Sequence, residues 1–311
     1  MSGGEGDPQF KDAQANHVHF NNVLVIGMGL MGGSFAAALK HHKRVNRVIG
    51  YDQFPVHAEK AVELGITDEA ARSVEAASVA ADLIMIAVPV METVATLQAI
   101  KKGLGDRPLP LVTDVGSVKT AVIEAASQVF GYLPPSLVPG HPIAGSEKHG
   151  IEAARGSLYA DHRVILTPTE ETDKDALEKV RNLWQALGSQ VVIMEARHHD
   201  EVLAQTSHLP HLLAYALVDT LCNQPDGREI FRYAAGGFRD FSRIAASDPT
   251  MWRDIFSANR QAVLGILDKF LVDLQDIRGL IDRGEMQTLS EKLARAKEAR
   301  DYFSSLGNKE E

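Results

Sequence analysis

The sequence predicts an α/β fold, with a mostly parallel sheet covered on both faces and an all-helical domain after it. Three observations carry this. From about residue 21 to residue 194, short apolar runs alternate with longer amphipathic stretches. Runs with no polar alternation are the mark of strands buried on both faces, as parallel strands joined by helices are. A glycine-rich turn, "GMGLMGGS" at 27–34, follows the first run directly, and beyond Met194 the strand signals stop.

The expected strands are "NVLVIG" (22–27), "RVIGYD" (47–52), "DLIMIAV" (82–88), "LVTDV" (111–115), "SLVPGHP" (136–142), "RVILTP" (163–168) and "QVVIM" (190–194). Helical patterns such as "GSFAAALKHH" and "KDALEKVRNLWQAL" lie between most of them. After Met194, "EARHHDEVLAQTSHLPHLLAYALVDTLC" reads as one long helix with a kink at Pro210, because proline removes a backbone donor and crowds the preceding turn. "MWRDIFSANRQAVLGILDKFLVDLQDIRGLI" and "LSEKLARAKEARDYF" keep the helical period, and "KEARDYFSSLGNKEE" reads as a solvated helix and tail. The expected organisation is a flexible tail (1–20), a dinucleotide-binding domain (21–195) and a helical domain (196–311).

Composition narrows the function classes. A chain of 311 residues with 45% hydrophobic and 23% charged residues has room for two ordinary soluble cores. The formal net charge of −9 and the lack of a long basic run argue against nucleic acid, whose affinity depends on clustered Lys and Arg. The best apolar run, "LIMIAVPV", is too short to span a membrane, so no membrane partner is expected. The first twenty residues are polar and glycine-rich and have the wrong charges for a transit peptide. A single cysteine, Cys222, allows no intrachain disulfide and suits a reducing, cytoplasmic setting.

The glycine turn has the context of a dinucleotide site. Gly27, Gly29 and Gly32 follow a strand and open a helix, and Asp52 closes the next strand twenty residues after Gly32. The first glycine permits the tight turn, the second lets the backbone approach a pyrophosphate, and the third lets helix and strand pack closely. The pyrophosphate then sits at the positive end of the helix dipole. Leu30 and Met31 within the turn, with Val88 and Pro89 at the end of "DLIMIAVPV", complete the expected cofactor contacts. A carboxylate at Asp52 accepts ribose hydroxyls and repels a 2′-phosphate, which favours NAD over NADP.

Two further stretches bear on the chemistry. "DVGSVK" (114–119) ends one strand and "GHPIAGSEKHG" (140–150) follows the next, so both face the cofactor crevice. His141 would then lie near the nicotinamide as a general base, with Ser117 on a neighbouring loop. Taken alone, a histidine before a proline also reads as a satisfied loop residue.

With "SHLPHLLAYALVDTL" (207–221) and "GGFRDFSRIAASDPTMWRDIF" (236–256) added, the chain closely resembles the prephenate and arogenate dehydrogenases, from about residue 22 to 305. The strings "DVGSVK", "HPIAGSE", "SHLPH" and "SDPTMWRDIF" carry the resemblance. It implies a Rossmann-type doubly wound domain, an all-α dimerisation domain, and a homodimer. The implied activity is NAD-dependent oxidation of a ring alcohol coupled to loss of CO2, with prephenate as substrate and arogenate as the alternative. His141 matches the family's catalytic histidine and Ser117 the serine that orients it. Arg243 matches the arginine that grips a substrate carboxylate, for which a planar guanidinium is suited. His208 and His211 match a pair near the substrate, with His211 the closer. Asp240 and Trp252 match positions that shape the pocket. Ser146 stands where many relatives carry threonine, and Glu147 beside it joins the expected substrate contacts.

Plainer readings stand beside these. His208 and His211 also read as a packed pair, and with no third ligand at a useful spacing no metal is expected. Asp240 is a natural ion-pair partner for Arg243, and Trp252 also reads as a core or dimer-interface residue. The chain leaves no room after the helices for the fused domains that some relatives carry. A β-hydroxyacid dehydrogenase would use a lysine on the long helix, and none lies between Glu195 and Cys222. A regulator that had lost catalysis would not be expected to keep Ser117, His141 and Arg243 together.

Overall fold

The computed structural model describes residues 18–145 and 148–307. Strand β1 (Phe20–Ile26) leads into helix α1 (Leu30–His41), then β2 (Val45–Tyr51), α2 (Pro55–Glu63), β3 (Glu69–Ala70) and α3 (Val74–Ser78). Next come β4 (Leu83–Ile86), α4 (Thr93–Leu104), β5 (Leu111–Asp114), α5 (Lys119–Phe130) and β6 (Leu137–Val138). These six strands form one wholly parallel sheet in the order β3-β2-β1-β4-β5-β6. The order reverses between β1 and β4, which is where the carboxyl ends of an open sheet leave a crevice.

The near-continuous apolar runs are explained by a core on each face. Val23 and Val25 of β1 point into one cluster with Phe35 and Leu39 of α1, while Leu24 and Ile26 point into the other with Leu97 and Ile100 of α4. Successive strand residues face opposite sides, so a strand sandwiched between helix layers needs apolar residues at every position. On the first face Trp184 lies 5.3 Å, ring to ring, from Phe35 and 5.0 Å from Tyr159.

The expected strand "SLVPGHP" is two strands in two sheets. β6 ends at Val138, and β7 (Gly140–Pro142) pairs antiparallel with β8 (Arg163–Leu166), which pairs in parallel with β9 (Gln190–Ile193). The reason is Pro139. It has no N–H to continue the ladder with β5, and the next amide, Gly140, donates to the Asp114 carboxylate at 3.0 Å. Helix α6 (Lys174–Ala186) connects β8 to β9.

After β9 the chain is helical, with α7 (Ala196–Leu203), one π-helical turn (Ala204–His208) and α8 (Leu209–Cys222). The expected interruption of the long helix is thus a π turn placed just ahead of Pro210, which occupies the first turn of α8, where its missing donor costs least. There follow α9 (Gly227–Arg232), α10 (Gly236–Ser242), a 3-10 turn (Arg243–Ala246) and α11 (Pro249–Ala258). The described residues through Arg260 form one compact unit and those from Gln261 a second. The second unit consists of α12 (Arg260–Asp282) from Gln261 onward and α13 (Met286–Gly307), turned at Gly284 and tied by Lys292 to Asp276 at 2.9 Å. It leaves Leu271, Val272, Ile281, Met286 and Leu293 exposed. No helix among the described residues is long and apolar enough to cross a membrane.

Candidate active site

Each glycine of the turn has a distinct geometric duty. Gly27 has φ +98°, and a Cβ there would lie 2.3 Å from the carbonyl oxygen of Ala87, the residue after neighbouring β4. A Cβ on Gly32 would lie 2.0 Å from the Gly27 oxygen, so this glycine lets α1 sit against the turn. A Cβ on Gly29 would meet nothing within 4 Å. Gly29 is the N-cap of α1, with no side-chain cap on the first amides of the helix. Leu30 and Met31 are half-buried in that first turn, and the Met31 carbonyl accepts the Tyr159 hydroxyl at 2.6 Å. Val88 and Pro89 follow β4, beside the switch point.

Asp52 does more than the sequence suggested. Its Oδ2 accepts the Met28 amide at 2.8 Å, and its Oδ1 accepts the Phe54 amide at 2.9 Å and lies 3.2 Å from His57 Nδ1. The carboxylate therefore clamps the glycine turn to the start of α2. A carboxylate can accept about four hydrogen bonds, so capacity for a further donor remains. These features fit a dinucleotide: an uncapped helix N-terminus, an open Gly29 and an acidic strand end.

His141 lies on β7. Its Nδ1 is 2.9 Å from Nε2 of His199 on α7, and its Nε2 has no hydrogen-bond partner among the described residues. The two rings meet edge to face at 5.1 Å between centroids. Burial above all, with Lys119 and two further imidazoles close by, holds His141 well below the usual histidine range, so it is neutral at pH 7. Beneath it, His199 Nδ1 is 2.8 Å from Asp200 Oδ1. Asp200 also accepts the Lys119 amide at 2.8 Å, the Thr120 amide at 2.9 Å and the Thr120 hydroxyl, all at the N-terminus of α5. Burial alone would raise the Asp200 carboxyl. The hydrogen bonds from His199, Thr120 and the two amides outweigh it, and the group stays ionised.

A buried ion pair fixes the strand under His141. Lys119 Nζ pairs with Asp114 and donates to the Gly140 carbonyl at 2.6 Å, and Asp114 accepts the Gly140 and Gly116 amides. Burial pulls Lys119 down from the ordinary lysine range, and Asp114 and Asp200 oppose that pull. Breaking such a pair strands a buried charge, so its geometry is rigid.

Other expected residues fall in two groups. His208, His211 and Trp252 come together: His211 stacks on Trp252 at 3.7 Å, and His208 lies edge-on to the same ring at 6.0 Å. His211 Nδ1 donates to the Ser207 carbonyl at 2.9 Å, while His208 Nδ1 accepts from Asn259 Nδ2 at 3.1 Å. Burial, reinforced by His199 and His211, pushes His208 down to about 4. Trp252 is buried against Val118 and Ile255, and its Nε1 has no hydrogen-bond partner among the described residues. Arg243 and Asp240 are exposed and form no ion pair with each other. Arg243 is close enough to lower His211 by its charge. Ser117 is half-buried between β5 and α5, and its hydroxyl has no hydrogen-bond partner among the described residues. The ring nitrogen partner of His141 is therefore His199, not Ser117, in this structure. Ser146 and Glu147 lie outside the described residues.

Sequence reading missed His199, Asp200, Thr120 and Asn259. The adjacent "HHD" at 198–200 was the one visible signal, and 58 residues separate His199 from His141 along the chain.

Known proteins match the chain over most of its length. Residues 35–193 match the model for the prephenate dehydrogenase nucleotide-binding domain, and residues 195–295 match that for the prephenate dehydrogenase dimerization domain. The chain belongs to the prephenate dehydrogenase family. A crystal structure of prephenate dehydrogenase from Aquifex aeolicus, in complex with hydroxyphenyl propionate and NAD+, is similar at TM-score 0.83 and 40% identity, covering 91% of this chain and 98% of that one. The Bacillus subtilis prephenate dehydrogenase is 37% identical over 90% of this chain and 76% of its own length. The Zymomonas mobilis cyclohexadienyl dehydrogenase is 36% identical over 90% of this chain and 95% of its own. The family resemblance and the fold class expected from the motifs are both borne out. The nucleotide-domain match begins after the glycine turn, so the geometry of Gly27, Gly29 and Gly32 is evidence independent of it.

Proposed function

We propose that this chain oxidises prephenate to 4-hydroxyphenylpyruvate with NAD, in the cytoplasm, as a homodimer. The observation that carries the reading is His141, a neutral imidazole with one nitrogen held by His199 and the other without a partner among the described residues. The glycine turn, Leu30, Met31, Val88 and Pro89 would hold NAD, with Asp52 on the ribose. NAD bound there supplies the hydride acceptor.

The chain's own part is acid–base work and positioning. His141 Nε2 takes the proton from the ring hydroxyl as the C4 hydrogen leaves with its electron pair. Loss of CO2 then sends its bonding electrons into the ring, which becomes aromatic and leaves the C4 oxygen as a phenolate. His141 returns the proton to that oxygen, so no net proton is released. The depressed pKa keeps His141 unprotonated, and so free to accept that proton, at neutral pH. Aromatisation drives the step, and the remaining demand on the protein is orientation. Arg243, with no ion-pair partner among the described residues, is available to a substrate carboxylate, with His211, His208, Trp252 and Asp240 around it. Ser117 would touch the reacting hydroxyl.

Support for the homodimer comes from the exposed Leu271, Val272, Ile281, Met286 and Leu293 of α12 and α13. The end of the second sheet at Ile193 supports a boundary near residue 195 between the dinucleotide part and the helical part. The test is the initial rate of NADH formation with prephenate and with arogenate, each repeated with NADP. Turnover of prephenate with NAD is expected, and arogenate turnover would extend the reading to a cyclohexadienyl dehydrogenase. NAD binding without turnover of either substrate would overturn it.

A further inference from the structure

We propose that His199 and Asp200 are positioning residues for the reaction, fixing the tautomer of His141 so that its unprotonated Nε2 faces the ring hydroxyl. The inference rests on the reading of His141 as base and goes beyond it by naming what makes His141 one.

The argument follows the hydrogen bonds outward from the buried end. Asp200 is ionised and its oxygens only accept. They are filled by the Lys119 and Thr120 amides, the Thr120 hydroxyl and His199 Nδ1. His199 Nδ1 therefore carries a hydrogen. An uncharged His199 then has only a lone pair on Nε2, and the atom 2.9 Å from it, His141 Nδ1, must be the donor. One proton placed on His199 thus decides where the proton sits on His141. A carboxylate holding a histidine by Nδ1 is the device by which a Ser-His-Asp triad selects its tautomer. Here a second imidazole is interposed.

The anchor at the far end is stiff. Asp200 lies across the first amides of α5, where the helix dipole favours a negative charge. Its own carbonyl accepts Asn259 Nδ2 at 2.8 Å, which joins the end of α11 to the same point. His199 and Asp200 are 0% and 3% exposed, so water does not compete for these bonds. The charged and titratable groups that face the pair are Lys119 from α5, Asp114 from β5, and His208 from the π turn. Lys119 is neutralised by Asp114, and His208 is turned to Asn259, so neither supplies a competing acceptor to His199.

The experiment is nitrogen-15 NMR of histidine-labelled full-length protein at neutral pH, with signals assigned from the spectra of His141→Asn and His199→Gln. Both rings are expected in the Nδ1–H tautomer, the less common form of a free imidazole. Finding either ring protonated on Nε2 would overturn the proposal. Kinetics give a second readout. His199→Phe keeps the volume and removes the hydrogen bonds, so kcat should fall by about 100-fold with the KM for prephenate changed less than about threefold. His199→Gln, whose amide can accept from His141 and donate to Asp200, should recover at least about tenfold of that loss. A Gln variant no faster than the Phe variant, with both losing the same melting temperature, would make the pair merely structural and the proposal wrong. Absence of prephenate turnover in the wild type would refute the functional reading, while the tautomers, measured without substrate, would still decide this one.

Discussion

The glycine turn and the histidine cluster solve opposite problems. At the turn, side chains are absent so that backbone amides can reach a ligand: Gly29 opens onto free space, and Gly27 and Gly32 bring β1, β4 and α1 to contact. At the cluster, side chains are crowded together so that one imidazole is held in one orientation. Asp52 and Asp200 make the contrast plain. Both accept backbone amides, but Asp52 joins the end of one strand to the turn after its neighbour, whereas Asp200 joins α7 to α5 beneath the base. A cofactor site can thus be written in one short stretch, while a tuned base needs partners from several elements.

The sharpest way to break that contrast is to remove the base. His141→Asn should lower kcat by roughly 100- to 10,000-fold while NAD still binds. Near-normal turnover would mean that the cluster is packing and not chemistry. The wild-type pH profile tests the same group. His141 is depressed, so its neutral, active form persists through pH 6.5 and the rate falls only in more acidic buffer, as the ring takes up its proton.

A smaller effect is expected where substrate is gripped. Arg243→Gln should raise the KM for prephenate roughly 10- to 150-fold, the worth of a lost charged hydrogen bond of about 1.5–3 kcal/mol, with kcat changed less. Steady-state kinetics showing an unchanged KM would return Arg243 to the surface.

The turn itself can be split into its two duties. Gly32→Ala must push a Cβ into the Gly27 carbonyl, so the protein should lose about 1–3 kcal/mol of stability on thermal unfolding. Gly29→Ala meets no protein atom, so its melting temperature should hold while NAD binding weakens. Equal losses of stability in both variants would show that Gly29 serves the fold and not a ligand.

The smallest effect is one of preference. Asp52→Ser should lower the NAD-to-NADP ratio of kcat/KM by about tenfold, or about 1.4 kcal/mol. Because Asp52 also holds the Met28 and Phe54 amides, the ratio is the informative number. A constant ratio would leave Asp52 as a clamp alone.

Much of the fold was legible because its signals are local. The apolar runs of β1, β4 and β5 and the spacing from Gly27 to Asp52 depend on neighbours in sequence, since a strand's two faces and a turn's backbone angles are set within a few residues. The strand expected at 136–142 went wrong at one residue, Pro139, whose missing amide sends β7 into a second sheet. His208 and His211 were read as a pair from their spacing, but the order in the chain could not say that both meet Trp252 or that His211 stacks on its indole. For the partner of His141 the sequence offered no more than the adjacent "HHD" at 198–200. The His141 tautomer depends on His199, 58 residues away, and on Asp200, itself 81 residues from the Lys119 amide that it accepts, contacts made only by packing. Backbone geometry is dictated residue by residue. The protonation of a buried ring depends on whichever groups the folded chain brings within 3 Å of it.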